Sequence, residues 1–274
     1  MLYIVATPIG NLKDITYRAV EVLKSVDVIA CEDKRQTIKL LNAYEIKKPL
    51  VVYQKFNEKQ ACLPICERLE RGENVALVSD AGMPLISDPG SELVKTLIER
   101  GLEYTVLPGA TAFACALVGS GLLDYRFNFV GFLPEKNSER KKLLAKYKNC
   151  DVPLIFYCAP HDVDDTVSAL YAELGNRKAV ACRELTKTFE ERVAFDLGEG
   201  YNGEKRGEFV IIVDGAGEEE KAFDCTAVEA VNKLMACGTD KKEAIKAVAK
   251  ERGLKKNEVY MQYINQTEKD LNYR

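Results

Sequence analysis

Short apolar runs alternate with amphipathic stretches along the first 110 residues or so. The runs are LYIVAT, DVIAC, PLVVY, NVALVS and YTVLPG. In the stretch between the third and fourth runs, Cys62, Ile65, Cys66 and Leu69 recur at i, i+3, i+4 and i+7, which is the spacing of one helix face. Strands separated by helices pair in parallel through crossover connections. We therefore predict an N-terminal α/β domain over residues 1–119, built on an open, mostly parallel sheet.

The pattern changes after GSGLLD at residues 119–124, a stretch typical of a domain boundary. Five further strand-like runs follow, namely FNFVGFL, VPLIFYC, KAVACRE, ERVAFDL and EFVIIVD. The last two lie close together with Gly and Asn between them, which predicts an antiparallel hairpin. We predict a mixed-sheet α/β domain over residues 120–216, so that the fold class is two-domain α/β.

A charged linker, GAGEEEK at residues 215–221, precedes three short helical segments that are predicted to end near Ile264. These segments predict a small helical extension over residues 222–274. Residues 240–256 hold seven Lys or Arg against three acidic residues, and Thr239 is the predicted N-cap of the middle helix. A compact helix-turn-helix and a solvated packing or dimerisation element fit this charge pattern equally well.

Composition restricts the classes of protein that fit. With 47% hydrophobic residues among 274, the chain can bury two modest cores. The net charge of −3 argues against unspecific coating of nucleic acid, so any RNA binding must come from local patches. Nine cysteines without a C-x-x-C pair or a Cys/His cluster predict small core residues in a reducing cytosol. We expect neither a secretory signal nor a membrane-spanning segment.

Three loops follow predicted parallel strands, where open α/β sheets bind ligands. Residues 7–11, TPIGN, place a proline and a glycine directly after the first strand. Residues 79–90, SDAGMPLISDPG, are stiffened by two prolines, as recognition of a zwitterionic ligand requires, although two successive tight turns explain them equally well. Residues 107–113, LPGATAF, are predicted to begin a helix whose first backbone amides have no hydrogen-bond partner within the helix and so are available to a ligand. None has a Walker or G-x-G-x-x-G signature, which weakens a nucleotide-binding hypothesis.

Charged residues are concentrated in two places of the second half. Residues 182–192, CRELTKTFEER, concentrate cations and carboxylates directly after a predicted strand. This pattern indicates either a functional site or a charged surface hairpin. Residues 136–148 hold six basic residues and one acid, and they either contact phosphates or form a solvated helix. The single histidine, His161, follows a proline in a turn and has no G-x-S-x-G elbow to support hydrolase chemistry.

Six motifs occur in a fixed order: VATPIGNLKDIT, EDKRQTIKLL, SDAGMPLISDPG, LPGATA, FVGFLP and ELTKTFEE. Together they resemble the family of ribosomal small-subunit RNA cytidine 2′-O-methyltransferases, which is related to the tetrapyrrole methylases, and the resemblance covers essentially the whole chain. It implies a tetrapyrrole-methylase-like fold and a cytoplasmic homodimer that binds S-adenosylmethionine between its domains without a metal. The implied substrate is a cytidine ribose of 16S rRNA in the small ribosomal subunit.

The resemblance also implies functional residues. By motif position, the cofactor contacts are Pro8, Gly10, Asp80, Ala81, Gly82, Met83, Ile86, Thr111, Ala112, Tyr157, Leu185 and Glu208. A ribose hydroxyl is a poor nucleophile, so we predict catalytic roles for Lys187 and Glu184, with Asp33 and Arg35 positioning the RNA. The chain departs from the family pattern in four places, two of which replace histidines, so any role of those histidines in orienting RNA does not carry over. The four residues are Lys34, Gln36, Gln54 and Met83.

Two alternatives from other classes stay open. The first is a methylase that acts on a small tetrapyrrole, because a shared fold does not fix the substrate. The second is a non-catalytic RNA-binding protein that uses its C-terminal helices as a helix-turn-helix. The basic stretch at 136–148 counts against the first, and the intact cofactor loops count against the second.

Overall fold

The computed structural model describes residues 1–54, 58–217 and 225–272. The chain divides into two compact units, Met1–Gly217 and Glu218–Arg274. Residue 119 lies after the last strand of one sheet and before the first strand of another, both in the first unit. The domain limits 1–119, 120–216 and 222–274 stay a prediction.

The first sheet is parallel throughout, as predicted. Its strands are β1 (Leu2–Val5), β2 (Val28–Cys31), β3 (Leu50–Val52), β4 (Val75–Val78) and β5 (Tyr104–Leu107). They lie in the order β3-β2-β4-β1-β5. Their connecting helices are α1 (Tyr17–Ser25), α2 (Lys34–Ala43), α3 (Glu58–Glu70) and α4 (Ser91–Arg100). Because β4, β1 and β5 are neighbours, the three unusual loops that follow them lie side by side.

Local sequence signals set the limits of these elements. Helix α1 begins after Thr16, whose Oγ1 accepts a hydrogen bond from the Ala19 amide at 3.1 Å. Helix α4 ends at Gly101, which adopts the left-handed conformation with φ 65°. Strands β2 and β4 are buried at every position, because helices cover both faces of a parallel sheet.

The second sheet is mixed, as predicted. Its strands are β6 (Asn128–Phe132), β7 (Leu154–Cys158), β8 (Lys178–Arg183), β9 (Glu191–Asp196) and β10 (Phe209–Val213). Their order is β6-β7-β10-β8-β9, with β6 parallel to β7 and all other pairs antiparallel. The accompanying helices are α5 (Ala112–Ser120), α6 (Asn137–Ala145) and α7 (Val163–Leu174).

The predicted hairpin between ERVAFDL and EFVIIVD is wrong. Strand β9 pairs with β8, from Lys178 opposite Asp196 to Arg183 opposite Glu191, and β10 inserts between β7 and β8. All five residues of β10 are buried, whereas β9 carries charged side chains and has no fully buried position. A continuous apolar run suits a central strand and a polar one suits an edge, so burial decided the pairing over proximity in sequence.

The prediction that the cysteines are core residues is confirmed for five of the nine. All nine thiols are free, and five are buried, while Cys115 and Cys237 are exposed. Cys115 lies on α5, a helix that is apolar on all sides, so part of its apolar surface faces outward.

The second unit contains α8 (Ala227–Ala236), α9 (Lys241–Arg252) and α10 (Lys256–Asn272) around a small core of its own. The predicted N-cap is wrong by one residue, because the carboxylate of Asp240 accepts from the Lys242 amide at 2.9 Å. The Thr239 amide instead donates to Leu234 and closes the end of α8. Helix α10 continues to Asn272, beyond the predicted end near Ile264. Residues 218–221 of the predicted linker lie outside the described residues.

Nowhere in residues 1–54, 58–217 and 225–272 is a helix both long enough and apolar enough to cross a bilayer.

Candidate active site

A cavity of about 350 Å³ lies where the loops of the first sheet face the second sheet. Its walls come from the loops after β1, β4 and β5, from the ends of β6, β7 and β8, and from the start of β10. Cavities of roughly 300–1,000 Å³ with mostly apolar walls are typical of small-molecule sites. The sequence-based expectation that ligands bind beyond the carboxyl ends of the parallel strands points to this same place.

The structure brings most of the predicted cofactor residues together on the cavity wall. They are Asp80, Ala81, Gly82, Met83, Ile86, Thr111, Ala112, Tyr157, Leu185 and Glu208. Pro8 and Gly10 are not part of the wall. Gly10 instead faces the Lys187 stem, where a Cβ atom would lie 2.4 Å from Lys187 Cγ. Their role as cofactor ligands stays a prediction.

Hydrogen bonds join the loop after β1 to the loop after β4. Thr7 and Gly82 exchange backbone hydrogen bonds of 2.8 and 3.0 Å, and the Thr7 hydroxyl donates to the Ser79 carbonyl at 3.1 Å. Gly82 has φ 82°, and Leu85 and Ser87 both have φ 70°. Left-handed backbone at non-glycine residues carries strain and clusters at ligand sites. These hydrogen bonds and left-handed residues therefore hold the loop after β4 in one strained conformation at the cavity.

Carboxylates make this wall electrically negative. Burial raises the pKa of Asp88 to about 6, and the charges of Glu32 and Asp80 add to the effect, while a hydrogen bond with Ser79 opposes it. Burial and neighbouring carboxylates raise the pKa of Glu32 and of Asp80 as well. A cationic ligand group would relieve this repulsion.

Helix α5 begins at the cavity, where Thr111 and Ala112 line the wall. The Thr111 side chain does not cap the helix, because its hydroxyl donates to the Gly109 carbonyl at 3.2 Å. First-turn amides that no side chain caps can bind an anionic group of a ligand.

Lys187 forms the centre of a charged cluster that reaches the opposite wall through Glu208. Its Nζ lies 2.9 Å from Glu184 Oε1 and 2.9 Å from Glu208 Oε2. Glu184 Oε1 also accepts from the Glu208 amide at 2.9 Å. Glu184 and Thr186 have φ of 49° and 67°, so this loop is strained like the one facing it. Glu208 itself lines the cavity.

The pKa shifts in this cluster favour the charged forms. Burial lowers the pKa of Lys187, but its hydrogen bonds to Glu184 and Glu208 outweigh that effect and leave it above its ordinary value. Burial raises the pKa of Glu184, yet the Lys187 and Glu208 hydrogen bonds bring it below its ordinary value. Lys187 is thus an ammonium at neutral pH, suited to stabilising negative charge rather than to accepting a proton.

Asp33 and Arg35 lie behind the cavity wall of the first sheet and are linked to it through Asp80. The Asp33 amide donates to Asp80 Oδ1 at 3.1 Å, and the Asp33 carboxylate accepts from Arg35 Nε at 3.1 Å and from Nη2 at 2.7 Å. The side chain of Arg35 is 87% exposed. The four predicted catalytic residues therefore divide into two pairs, one joined to the cavity through Asp80 and the other through Glu208.

The remaining charges of CRELTKTFEER stabilise local structure. Arg183 pairs with Glu191 across the β8–β9 ladder at 3.0 Å, and Glu190 Oε2 accepts from the Thr186 amide at 2.6 Å. The side chain of His161 is exposed beside Asp162 and takes no part in the hydrogen bonds described above for Lys187. In the described parts of the chain, no three His, Cys, Asp or Glu side chains are grouped as a metal site.

Several wall residues were not among the predicted cofactor contacts, and the two whose chemistry matters most are Asp88 and Phe132. Both lie in quoted motifs, SDAGMPLISDPG and FVGFLP, so the motifs themselves were the available signal.

Comparison with known proteins gives one consistent family. Residues 1–200 match the family model of Tetrapyrrole (Corrin/Porphyrin) Methylases. The chain is 45% identical over 273 residues to ribosomal RNA small subunit methyltransferase I of Bacillus subtilis (strain 168), covering 96% of this chain and 94% of that protein. The protein of the same name from Haemophilus influenzae is 43% identical over 270 residues, covering 95% of each.

Solved structures share the fold at lower identity. Diphthine synthase aligns with a TM-score of 0.63 at 16% identity, covering 78% of this chain and 89% of that chain. Uroporphyrin-III C-methyltransferase from Thermus thermophilus, complexed with S-adenyl homocysteine, aligns with a TM-score of 0.56 at 19% identity, covering 81% and 99%. At these identities the likeness concerns the fold alone, and it confirms the predicted tetrapyrrole-methylase-like architecture.

Proposed function

Since this chain belongs to the tetrapyrrole methylase family and, within it, to the ribosomal RNA small subunit methyltransferases I, we propose that it methylates the 2′-hydroxyl of a cytidine in 16S rRNA. The methyl donor is S-adenosylmethionine, and the reaction takes place in the cytoplasm on the small ribosomal subunit. One observation carries the proposal: a lysine held in its charged form by two carboxylates is paired with Glu208, which lines a cavity built from the cofactor motifs.

The cavity has the chemistry that S-adenosylmethionine needs. The carboxylates of Asp80 and Asp88 match its cationic groups, and the uncapped start of α5 at Thr111 matches its carboxylate. Apolar wall residues such as Ile86, Leu185 and Val210 suit an adenosine moiety. When bound, the cofactor supplies an electrophilic methyl group on a sulfonium, so no metal is needed for the donor.

Lys187 is the residue that we assign to the chemical step. A ribose hydroxyl that loses its proton as it attacks the methyl carbon develops alkoxide character on its oxygen, and a nearby ammonium stabilises that charge relative to the neutral hydroxyl. Glu184 and Glu208 hold Lys187 in place and keep it charged. Because the pKa of Lys187 is raised and that of Glu184 is lowered, neither suits the departing proton, which passes to water.

Positive side chains outside the cavity are assigned to the RNA. Arg35 is exposed beside Asp33, near the loop that carries Asp80. On α6 and just after it, Lys142 and Lys146 are exposed and have no ion pair with any residue that the structure describes. They stand one helical turn apart and suit two phosphates of a strand.

We also propose a homodimer formed through α5 and the free edge of the first sheet. Val118 on α5 is 70% exposed, and Leu123, Val106 and Tyr104 expose apolar surface as well. A second copy that covers this apolar face would remove it from water. Light scattering of the full chain tests this, and a monomer at micromolar concentration would contradict it.

The decisive experiment measures transfer of labelled methyl from S-adenosylmethionine to small ribosomal subunits that lack the modification. Nuclease digestion and mass spectrometry then identify the nucleoside. We expect 2′-O-methylcytidine from the wild-type chain and a strongly reduced rate of its formation from Lys187→Ala. No incorporation despite calorimetric cofactor binding would reject the RNA substrate, and methylation of uroporphyrinogen instead would support the tetrapyrrole alternative.

A further inference from the structure

Phe132 is a large aromatic residue that stays open to solvent at a ligand cavity. It lines the cavity and is 58% exposed, although it ends a strand whose preceding residue is buried. Exposing such a ring forgoes the free energy of burying it. A ring left open at a site is therefore available to a partner.

The backbone before Phe132 fixes where the ring points. The register between β6 and β7 shifts between Phe129 and Gly131, so that Val130 is an extra residue. Gly131 has φ 77°, and a Cβ atom there would lie 3.2 Å from the Ser87 hydroxyl oxygen. Bulges on edge strands re-aim side chains next to functional sites. The direction of the Phe132 ring is thus built into the strand.

A cluster of aromatic rings supports Phe132. Its ring meets Tyr157 edge to face, with centroids 5.4 Å apart and planes at 62°. Tyr157 packs in the same manner on Phe129 at 5.1 Å, and Phe129 lies 4.8 Å from Phe113. These contacts hold the Phe132 ring, and more than half of its surface stays exposed for stacking.

Unpaired cations follow the ring in sequence. Helix α6 begins at Asn137, and it leads to the exposed Lys142 and Lys146, which form no ion pair with the described residues. Proteins bind unstacked nucleotides by combining an exposed aromatic ring, which takes the base, with cations, which take the phosphates. Phe132 and the two lysines that follow it along the chain provide both kinds of group. The occupant that this pattern favours is a nucleotide of single-stranded RNA.

We propose that Phe132 is the platform on which the base of the target nucleotide stacks while its ribose reaches the cavity. This proposal rests on the RNA methylation proposed above and adds the residue that positions the substrate. It also explains why FVGFLP combines a bulge glycine with an aromatic residue. The adenine of the cofactor is the competing partner for the same ring, and the experiment must separate the two.

Steady-state kinetics with small ribosomal subunits test the proposal. Phe132→Leu keeps an apolar side chain and removes the ring, so we expect KM for the subunits to rise about tenfold or more while KM for S-adenosylmethionine is unchanged. Phe132→Tyr keeps the ring and should restore wild-type KM. Tyr171→Leu, which removes a 48% exposed ring on α7, is the matched control and should change neither constant. An unchanged KM for subunits in Phe132→Leu would overturn the proposal.

Fluorescence separates the two partners of the ring. The chain contains no tryptophan, so Phe132→Trp introduces a single tryptophan at the cavity and Tyr171→Trp introduces one elsewhere, each excited selectively over the tyrosines. We expect 16S rRNA transcript to quench the former more than the latter, and S-adenosylhomocysteine to quench neither. Quenching by S-adenosylhomocysteine alone would assign the ring to the cofactor and overturn the proposal. If the wild-type chain forms no methylated RNA, the proposed function fails, and the transcript titration still decides whether RNA stacks on position 132.

Discussion

The two walls of the cavity are built differently. The wall from the first sheet, residues 79–90, makes its internal contacts mainly through backbone atoms, with left-handed φ at Gly82, Leu85 and Ser87. The facing wall relies on side chains, with Lys187 shared between two glutamates. Rigid backbone groups bind a ligand of fixed shape, whereas a charged side chain can stabilise charge that develops during a reaction. The comparison assigns cofactor binding to the first wall and chemistry to the second.

The largest effect that follows from this comparison is loss of cofactor binding in Gly82→Arg. Gly82 has φ 82°, lines the cavity and would bring a Cβ atom within 3.2 Å of Ile9. We expect the dissociation constant for S-adenosylmethionine to rise beyond calorimetric detection while circular dichroism keeps the native spectrum. Gly72→Arg is the matched control, because Gly72 has φ 83° with no atom within 4 Å of a Cβ. Unchanged affinity in Gly82→Arg would remove the first wall from cofactor binding.

The second prediction concerns the facing wall. Lys187→Ala should lower kcat by about 10²–10³-fold with an unchanged dissociation constant for the cofactor, because the ammonium that it removes acts on the transition state. Lys187→Arg should recover part of kcat. Lys205→Ala removes a surface lysine that pairs with Asp164 and serves as the control. A large loss of cofactor affinity in Lys187→Ala would contradict the division between the two walls.

A third prediction separates both walls from the RNA surface. The double change Lys142→Ala and Lys146→Ala should weaken RNA binding and reduce the salt dependence of log K by about 0.7–0.9 for each phosphate that is no longer neutralised. Cofactor affinity should stay constant. The double change of Lys24 and Lys95 to Ala removes the same charge from helices of the first sheet and controls for net charge. Equal effects of the two double changes would show that net charge alone matters.

The smallest expected effect is on stability. The pKa of Asp88 is raised to about 6 in the folded chain, so folding is favoured when Asp88 is protonated, and this contribution is lost as the pH rises from about 4 to above 6. Asp88→Asn removes the charge and should raise Tm by about 2–4 °C at pH 8 but not at pH 4. Asp14→Asn, at an exposed position, is the control. A gain of the same size at both pH values would contradict this linkage.

The sequence supplied the strands, most helix limits and the loops that form the cavity, because periodicity, caps and glycine positions act within a few residues. It misplaced the partner of EFVIIVD and did not single out Asp88 or Phe132 as wall residues. Pairing depends on which strand buries its whole length, and the direction of Phe132 depends on a bulge in a ladder with β7. Neither quantity is present in a local stretch of residues.

What the sequence determined by itself is the parallel order of strand and helix in the first half and the set of residue types available to the cavity. The tertiary structure alone decided which of them meet. Glu208 reaches Lys187 across 21 residues of chain, and the Asp33 amide reaches Asp80 across 47. Such contacts arise because strand pairing within each sheet places the ends of β2 and β4, and those of β8 and β10, side by side although the chain keeps them far apart. Which strands pair depends on the burial of complete strands, a property of the whole fold.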